Sequence, residues 1–238
     1  MELLNENSEI CSSTFVLENN DGKRLLIDPG TSGYAGCKNM TDYGKVDLIV
    51  ITHSHQDHFD IEGTKELVAA HSPKILTNPE IHTILQAETV GSRVVHIGDF
   101  IEEEGFSLTL TKTDHNPGGN WIVNFGVVIE SDEKSVYHPS DTRLIQPQLL
   151  PKDKVTEPDV LFVPISNRGL VMGIDDALFF TNALAPKIVV PIHYESAHDI
   201  GRVLPEHFVD RLNILKEHLT ALNDVEVKIM NYGEELVL

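Results

Sequence analysis

Cysteines, basic residues and long apolar runs are all scarce in this sequence of 238 residues. The two cysteines, Cys11 and Cys37, allow at most one disulfide bond, and neither belongs to a CxxC pair that would indicate a zinc or redox site. We therefore expect both to be reduced and structural. No apolar stretch approaches the roughly 20 residues that span a bilayer, and residues 1–6 lack the basic start of a signal peptide. These absences predict a soluble, cytoplasmic protein that does not enter a membrane.

Positive charge is also in short supply, with 18 lysines and arginines against 37 aspartates and glutamates and a formal net charge of -19. Such a field repels polyanions, whereas proteins that bind nucleic acid through its phosphates concentrate basic side chains on one face. We therefore expect no nucleic-acid partner and a small-molecule substrate instead. The acidic balance also fits a high-salt habitat or simple solubility, and the sequence leaves the oligomeric state open.

Short apolar runs that stop abruptly at polar residues predict the strands of the fold. Continuous apolar character at residues 46–52, 160–164 and 187–192 indicates strands that are covered on both faces. The other predicted strands are residues 24–27, 107–113, 121–130, 136–137, 225–230 and 235–238. The predicted helices are residues 61–71, with Thr64 as a candidate cap, and residues 79–87, 175–184 and 205–222.

These elements predict an α/β fold, with a single domain over residues 1–238. Hydrophobic residues make up 41% of the chain, which is enough to bury a sizeable core in one domain. The strands are too many and the helices too few for a simple doubly wound sheet. Two sheets packed together with helices outside fit the pattern better.

The segment of residues 52–58, Thr-His-Ser-His-Gln-Asp-His, carries several potential metal ligands directly after a predicted buried strand. In an extended chain alternate side chains point the same way, so His53 and His55 are placed to bind one ion together. After the chain turns toward the next helix, Asp57 and His58 project as neighbours. They are placed to hold a second ion at the roughly 3.5 to 4 Å separation that two-metal sites require.

Three further strand ends carry side chains of the same kind, because His115, Asp141 and His193 each follow a predicted strand. A polar residue at one strand end is ordinary, but its recurrence predicts side chains that converge on one rim of the sheets. The carboxylate of Asp141 has two oxygens and is the natural bridge between two ions. All these ligands are nitrogen or oxygen donors, a set that accepts zinc, manganese or iron.

The ordered set of motifs resembles the signature of the metallo-β-lactamase superfamily. The set comprises LLIDPG with Asp28, HxHxDH at residues 53–58, the later His115, the SDT of residues 140–142 and the PIHY that contains His193. The resemblance covers about residues 25–194 and implies a four-layer αββα sandwich. It also implies that His53, His55 and His115 bind one metal, that Asp57, His58 and His193 bind the other, and that Asp141 lies between them. Zinc is the first choice by the habit of the superfamily.

Residues 172–194 resemble a narrower branch, the one that contains ascorbate-6-phosphate lactonase. This resemblance implies a small lactone or a phosphorylated carbohydrate as substrate, and it makes manganese the second choice of metal. Two positions depart from the superfamily pattern. Pro139 and Ser140 precede Asp141 where the family usually has glycine, which leaves open whether the loop is stiffer and Asp141 displaced. His55 stands where the oxygen-reducing di-iron branch generally carries glutamate, so hydrolysis is favoured over redox chemistry.

The predicted activity is metal-dependent hydrolysis of a small-molecule ester, lactone or phosphoester. Two divalent ions that share a water lower its pKa toward neutrality, and the bridging hydroxide then attacks carbon or phosphorus. Asp57 would orient that water and carry its proton to the leaving group. One alternative is a phosphodiesterase or nuclease, which the acidic balance disfavours unless the substrate is short. Another is a metal-binding protein without catalysis, because fold alone does not establish turnover.

Supporting roles fall to residues beside these ligands. Asp28 is either a turn former before Pro29 or an outer acceptor that orients a metal-bound imidazole, and we favour the second role. Tyr194 is a candidate hydrogen-bond donor to a developing oxyanion, with a packed tyrosine as the alternative. Arg168 is a candidate contact for an anionic substrate group, although a solvated loop arginine is the commoner case. His138 is expected to be structural or to lie outside the ligand set.

Overall fold

The structure of the protein is a computed structural model. It describes residues 14–30, 43–116, 119, 121–165, 169–193, 213–220, 225–230 and 234–238, together with the backbone of residues 2–5. Cys11, Cys37, Arg168 and Tyr194 lie outside these ranges.

Two seven-stranded sheets make up the centre of the described structure. The first sheet has the order β14-β1-β2-β3-β4-β5-β6, and its strands are β1 (Glu2–Asn5), β2 (Phe15–Glu18), β3 (Arg24–Ile27), β4 (Leu48–Ile51), β5 (Lys74–Thr77), β6 (Arg93–Val94) and β14 (Glu235–Val237). The second has the order β13-β12-β11-β10-β9-β8-β7, and its strands are β7 (Phe100–Glu103), β8 (Phe106–Thr111), β9 (Gly126–Ser131), β10 (Lys134–His138), β11 (Val160–Pro164), β12 (Ile188–Ile192) and β13 (Glu226–Val227).

The direction of the strands places the carboxyl ends that precede the ligand candidates at one rim of each sheet. Strands β3, β4 and β5 pair in parallel, and so do β10, β11 and β12. Strands β8 and β10 are both antiparallel to β9, so they run in the same direction as each other. The carboxyl ends of β3 and β4 therefore share a rim in the first sheet, and those of β8, β10 and β12 share a rim in the second.

The central strands alternate between two packing environments, as expected for strands that are covered on both faces. In β4, Leu48 and Val50 join the core between the sheets, whereas Ile49 and Ile51 pack in an outer cluster that also holds the helix residue Leu67. In the second sheet, residues of β11 alternate in the same way between the central core and a cluster with another helix. The result is a layered order of helix, sheet, sheet and helix, which confirms the predicted four-layer sandwich.

The helices are α1 (Ile61–His71), α2 (Pro79–Ala87), α3 (Lys152–Val155) and α4 (Ile174–Leu184), with a further helical stretch at residues 213–220. The suggestion of Thr64 as the cap of α1 is wrong, because the N-cap is Asp60, whose carboxylate accepts the Glu62 amide at 3.0 Å. Thr64 lies one turn inside the helix and donates its hydroxyl to the Asp60 carbonyl at 2.6 Å. Within the described ranges, no helix is long and apolar enough to cross a membrane.

The strand predicted at residues 121–130 wrongly includes a loop at its start, because β9 begins only at Gly126. Residues 121–125 form no ladder, and the Val123 carbonyl and the Asn124 side chain instead bond to neighbouring loops. The strand predicted at residues 225–230 is shorter than expected, at Glu226–Val227. Of the helix predicted at residues 205–222, the described part, residues 213–220, is helical.

Candidate metal centre

The turn that follows β4 places the first four ligand candidates. The amides of His58 and Phe59 both donate to the His55 carbonyl, at 2.9 and 2.8 Å, so the chain folds back sharply after His55. The loop that contains Gly30 packs closely against this turn. A Cβ atom on Gly30 would lie 1.9 Å from the carbonyl oxygen of Asp57, so only glycine fits there.

One group of donor atoms comprises His53 Nε2, His55 Nδ1, His115 Nε2 and an oxygen of Asp141. His55 Nδ1 lies 3.1 Å from His53 Nε2 and 3.2 Å from His115 Nε2. Asp141 Oδ2 lies 3.9 Å from both His53 Nε2 and His115 Nε2. Ligands that share a tetrahedral ion at about 2.0 to 2.1 Å lie roughly 3.4 Å from one another, so this group is spaced to surround one ion.

A second group consists of Asp57, Asp141 and His193, and His58 lies beside it. His193 Nε2 is 3.2 Å from Asp141 Oδ2 and 3.8 Å from Asp57 Oδ2. His58 Nε2 is 3.3 Å from Asp141 Oδ1 and 3.5 Å from Asp57 Oδ2. Asp141 thus contacts both groups, as a bridging ligand must. All seven ligand candidates from the sequence are brought together.

Unpaired buried atoms test whether divalent cations suit this arrangement. Buried polar atoms normally have hydrogen-bond partners. Within the described ranges, the buried atoms His58 Nε2 and Asp141 Oδ1 have none. Three imidazole nitrogens also face each other in the first group, where each neutral ring has one lone pair to offer. One cation in each group would satisfy these atoms, so the residues fit a metal centre.

The electrostatics favour neutral imidazoles in the first group. Burial lowers the pKa of His53 well below its ordinary value, and it also lowers the pKa values of His55 and His115. These three rings are therefore neutral near pH 7 and keep the lone pairs that metal coordination requires.

In the second group, the negative charges of the carboxylates determine the direction in which the histidine pKa values shift. Burial acts to lower the pKa of His58, but the negative charges of Asp141 and Asp57 outweigh it and raise that pKa well above its ordinary value. For His193, burial is likewise outweighed by Asp141, and the pKa rises to about 8. Burial acts to raise the pKa of Asp57, yet the charge of His58 holds it below its ordinary value. The carboxylates thus create a field that positive charge must compensate.

Asp28 lies against the centre as an orienting group. Its Oδ2 accepts His58 Nδ1 at 2.8 Å and the Thr52 hydroxyl at 2.7 Å, and its Oδ1 accepts the Thr52 amide at 2.7 Å. Asp28 also forms a compact cluster with His53 and His58, but both of its oxygens are already occupied. Its bond to His58 Nδ1 leaves Nε2 of that ring facing Asp141, which is the arrangement expected of an outer acceptor.

Two participants, Asn124 and Thr52, were missed by sequence reasoning. Asn124 donates its side-chain amide to the Asp141 carbonyl at 2.7 Å, although it falls within a strand predicted from the sequence. The Thr52 hydroxyl lies 3.1 Å from His53 Nδ1, and its place immediately before the HxHxDH motif was the only available signal.

Several residues around the centre have a left-handed backbone that is uncommon outside glycine. Asp28, Ser140 and His193 have φ values of 47°, 57° and 59°. Ser140 therefore occupies a conformation suited to glycine while Asp141, the next residue, still contacts both donor groups. Such strain, about 1 to 3 kcal/mol per residue, concentrates at functional sites.

His138 is fully buried and contacts no ligand by a hydrogen bond in the described ranges. Its Nδ1 accepts the Ser140 amide at 3.2 Å, and its ring packs 4.9 Å from that of Phe162. This placement fits the structural role expected for it. The suggested roles of Tyr194 and Arg168 fall on residues outside the described ranges and stay predictions.

The chain is similar to known proteins over most of its length. Residues 10–193 match the family model described as "Beta-lactamase superfamily domain". The chain is 30% identical over 237 residues to a "UPF0173 metal-dependent hydrolase" of Methanosarcina mazei, covering 95% of each protein. It is 30% identical over 229 residues to a protein of the same name from Bacillus thuringiensis, covering 92% of this chain and 93% of that protein.

Among solved structures, the chain is similar to Igni18, a metallo hydrolase from the hyperthermophilic archaeon Ignicoccus hospitalis. The TM-score is 0.77 at 28% sequence identity, and the match covers 99% of this chain and 97% of that one. The likeness extends over the whole layered fold.

Proposed function

Because this chain belongs to the metallo-β-lactamase superfamily and to its UPF0173 metal-dependent hydrolases, we propose that it holds two divalent ions and hydrolyses an ester, lactone or phosphoester bond of a small molecule. The observation that carries this proposal is the position of Asp141. Its Oδ2 lies 3.9 Å from His53 Nε2 in one donor group and 3.2 Å from His193 Nε2 in the other, as a ligand common to two ions would.

In this proposal His53, His55 and His115 hold the first ion, Asp57, His58 and His193 hold the second, and Asp141 contacts both. Zinc is the first choice of metal, and manganese or iron also suit these donors. When bound, the ions supply a nucleophile from water near neutral pH and polarise the bond to be cleaved. The residues of the chain orient the reacting groups, transfer protons and give the substrate access to the ions.

Among the described residues, the ligand side chains differ in their exposure to solvent. The side chains of His53 and His58 are fully buried, whereas those of Asp57 and His193 are 18% and 15% exposed. We infer that substrate reaches the ions where these ligand side chains are partly exposed, which includes the position of Asp57. At neutral pH this residue is a carboxylate, since the charge of His58 outweighs burial and lowers its pKa. It is placed to orient the attacking water and to carry a proton to the leaving group.

Exposed apolar side chains next to the centre provide a surface for the rest of the substrate. Trp121, the only tryptophan, is 73% exposed, and Val123 is 49% exposed. The residue between them, Ile122, donates its amide to the carbonyl of the ligand His115 at 3.4 Å. Trp121 is thus a large exposed aromatic side chain next in the chain to a residue bonded to a ligand. This position favours a substrate with an apolar portion.

Small lactones are the first substrates to test, because residues 172–194 resemble the lactonase branch of the superfamily. The net charge of -19 disfavours long polyanions such as nucleic acids. We propose further that Tyr194 donates a hydrogen bond to the oxyanion and that Arg168 contacts an anionic substrate group. Both roles come from the position of these residues in the sequence.

The test combines metal analysis with an activity screen of the full-length protein. Protein stripped with a chelator is reloaded with zinc, manganese or ferrous iron and assayed against lactones, aryl esters, phosphomonoesters and phosphodiesters. We expect two ions per chain and metal-dependent turnover of one class, with the first-group ion and turnover lost together in a His115→Ala variant. Two ions without any hydrolysis would favour a non-catalytic metal-binding protein, and a single ion would contradict the two-metal proposal.

A further inference from the structure

A single hydroxyl group, that of Ser140, lies where three ligand-bearing loops meet. Its Oγ is 2.7 Å from Thr52 Oγ1, in the loop after β4, and 2.9 Å from Asn124 Oδ1, in the loop between β8 and β9. It lies 3.5 Å from His53 Nδ1. Ser140 itself is in the loop after β10 and is fully buried. These are the three loops that carry the donor atoms of the first group.

We propose that Ser140 is a positioning residue for the ion held by His53, His55 and His115, acting through its hydroxyl group. The inference rests on the proposed function in so far as it assumes that these residues bind an ion. It adds a role that neither the donor set nor family membership assigns. Ser140 offers no atom to the ion and acts through its neighbours.

The direction of the hydrogen bonds explains how the hydroxyl acts on His53. The Thr52 hydroxyl donates to the carboxylate Asp28 Oδ2 at 2.7 Å, so its oxygen is left as an acceptor. That oxygen lies 2.7 Å from Ser140 Oγ, whose one proton is shared between Thr52 Oγ1 and Asn124 Oδ1, and 3.1 Å from His53 Nδ1. Nδ1 of His53 thus faces hydroxyl oxygens and carries the proton, which leaves Nε2 free to bind the ion.

A second branch of the network acts on Asp141. The Ser140 hydroxyl also contacts Asn124 Oδ1, while Asn124 Nδ2 donates to the Asp141 carbonyl at 2.7 Å. Because a buried amide oxygen that loses its donor is costly, removal of the hydroxyl would let Asn124 turn away. The backbone that carries the bridging carboxylate would then lose its own support.

The backbone at Ser140 supports a role for the side chain. Its φ of 57° is favourable for glycine and strained for serine, so the Cβ atom alone is a disadvantage there. The hydroxyl group is the feature that offsets this strain. Alanine retains the strain and lacks the hydroxyl, whereas glycine lacks both, so two substitutions separate the two effects.

The second donor group provides an internal reference. Its residue His58 is anchored by Asp28 rather than by Ser140. In the described ranges, the Ser140 hydroxyl makes no hydrogen bond to Asp57, His58 or His193. The second group shares only Asp141 with this network, so loss of the hydroxyl is expected to weaken the first ion much more than the second.

The experiment compares Ser140→Ala and Ser140→Gly with the wild-type chain in stepwise zinc titrations of the metal-free protein against a chromophoric chelator. Ser131→Ala is the matched control, because that hydroxyl donates to the Gly105 carbonyl at 3.0 Å at an exposed position. A His115→Ala variant identifies the titration step that belongs to the first group. Thermal melting of each metal-free variant checks that it is folded, and cobalt absorption spectra report changes in ligand geometry.

We expect both Ser140 variants to weaken the first-group step by about 10- to 100-fold, the usual effect of losing a partner that orients a ligand, with the other step changed much less. A Ser140→Gly protein that binds as tightly as wild type would overturn the proposal, because backbone strain would then be the only effect. So would equal weakening of both steps or lower melting temperatures with unchanged affinities. If wild type binds only one ion, the two-metal function fails, while the first-group comparison still decides the role of Ser140.

Discussion

The Nδ1 atom of His58 donates to Oδ2 of Asp28 at 2.8 Å, and both side chains are fully buried. This bond fixes which nitrogen of the imidazole faces Asp141. An Asp28→Asn variant keeps the shape of the side chain but loses the charge, and its amide would place a donor against either His58 Nδ1 or the Thr52 amide. We expect the affinity for the ion at Asp57, His58 and His193 to fall by about 10- to 100-fold in metal titrations.

The control for this substitution is Asp21→Asn, at an exposed turn carboxylate. It is expected to leave both binding steps unchanged. Unaltered metal affinity in Asp28→Asn would show that the charge of Asp28 has no part in orienting His58.

The close approach of Gly30 to the Asp57 carbonyl leads to a second prediction. A Gly30→Ala substitution would push on the backbone of the turn that carries Asp57 and His58, since the new Cβ would lie 1.9 Å from that oxygen. We expect a loss of about 1 to 3 kcal/mol in the free energy of unfolding, measured by urea denaturation, together with weaker metal binding. Gly91→Ala is the control, because an added Cβ meets nothing within 4 Å there. Similar stability of the two variants would contradict the close packing.

The strand-end pattern explains why much of the centre was accessible from the sequence. Ligands such as His53, Asp141 and His193 follow apolar runs, and the carboxyl ends of parallel strands share a rim whatever the details of packing. The bounds of β3, β11, α1 and α2 also follow from local patterns, because each ends at a proline, a polar residue or a capping side chain. These features depend on the chain close to each residue.

The network around Ser140 could not be predicted in the same way. Its contacts join residues 16 and 88 positions apart in the chain, so they depend on how the two sheets are aligned. Asn124 looked like a strand residue because Trp121 to Phe125 are mostly apolar, and only the structure shows its amide bonding to the Asp141 carbonyl. Strands β5 and β6 were also missed, and β6 has only two residues, which carry no periodicity.

Asp57 provides a test of the proton-transfer role. An Asp57→Asn variant retains an oxygen donor for the ion but cannot accept a proton. With metal supplied at saturation, we expect kcat to fall by about 100- to 10,000-fold while metal content changes little. The measurement is turnover of the substrate class identified in the screen, with metal content determined on the same sample. Full activity at normal metal content would exclude this role for Asp57.

Trp121 is expected to determine affinity for the apolar part of the substrate. A Trp121→Ala variant should raise KM roughly tenfold with little change in kcat, since about 1.4 kcal/mol of binding corresponds to a factor of ten. Ile97→Ala is the control, because Ile97 is 56% exposed but lies before β7 rather than in the loop that carries His115. Equal KM values for Trp121→Ala and wild type on substrates of increasing apolar size would contradict a substrate-binding surface there.

His138 is expected to make the stability of the metal-free protein depend on pH. Burial lowers its pKa from 6.5 to about 4, and the opposing charges of Asp28 and Asp141 are too weak to restore it. Between pH 6.5 and 4 the unfolded chain therefore binds a proton at this residue that the folded chain does not. Folding stability must fall as the pH falls through this window, by at most about 3.5 kcal/mol at 1.4 kcal/mol per pKa unit.

A His138→Gln variant isolates this contribution from the carboxylates and histidines of the metal centre, which also titrate. Its amide oxygen has the chemistry to accept the Ser140 amide, as His138 Nδ1 does at 3.2 Å, and it does not titrate. We expect its free energy of unfolding in urea to be lower than that of wild type at pH 7.5, and the difference to shrink as the pH approaches 4. The exposed His96, replaced in the same way, is the control. Parallel curves for His138→Gln and wild type would mean that His138 titrates equally in the folded and unfolded chains, which its complete burial beside Phe162 argues against.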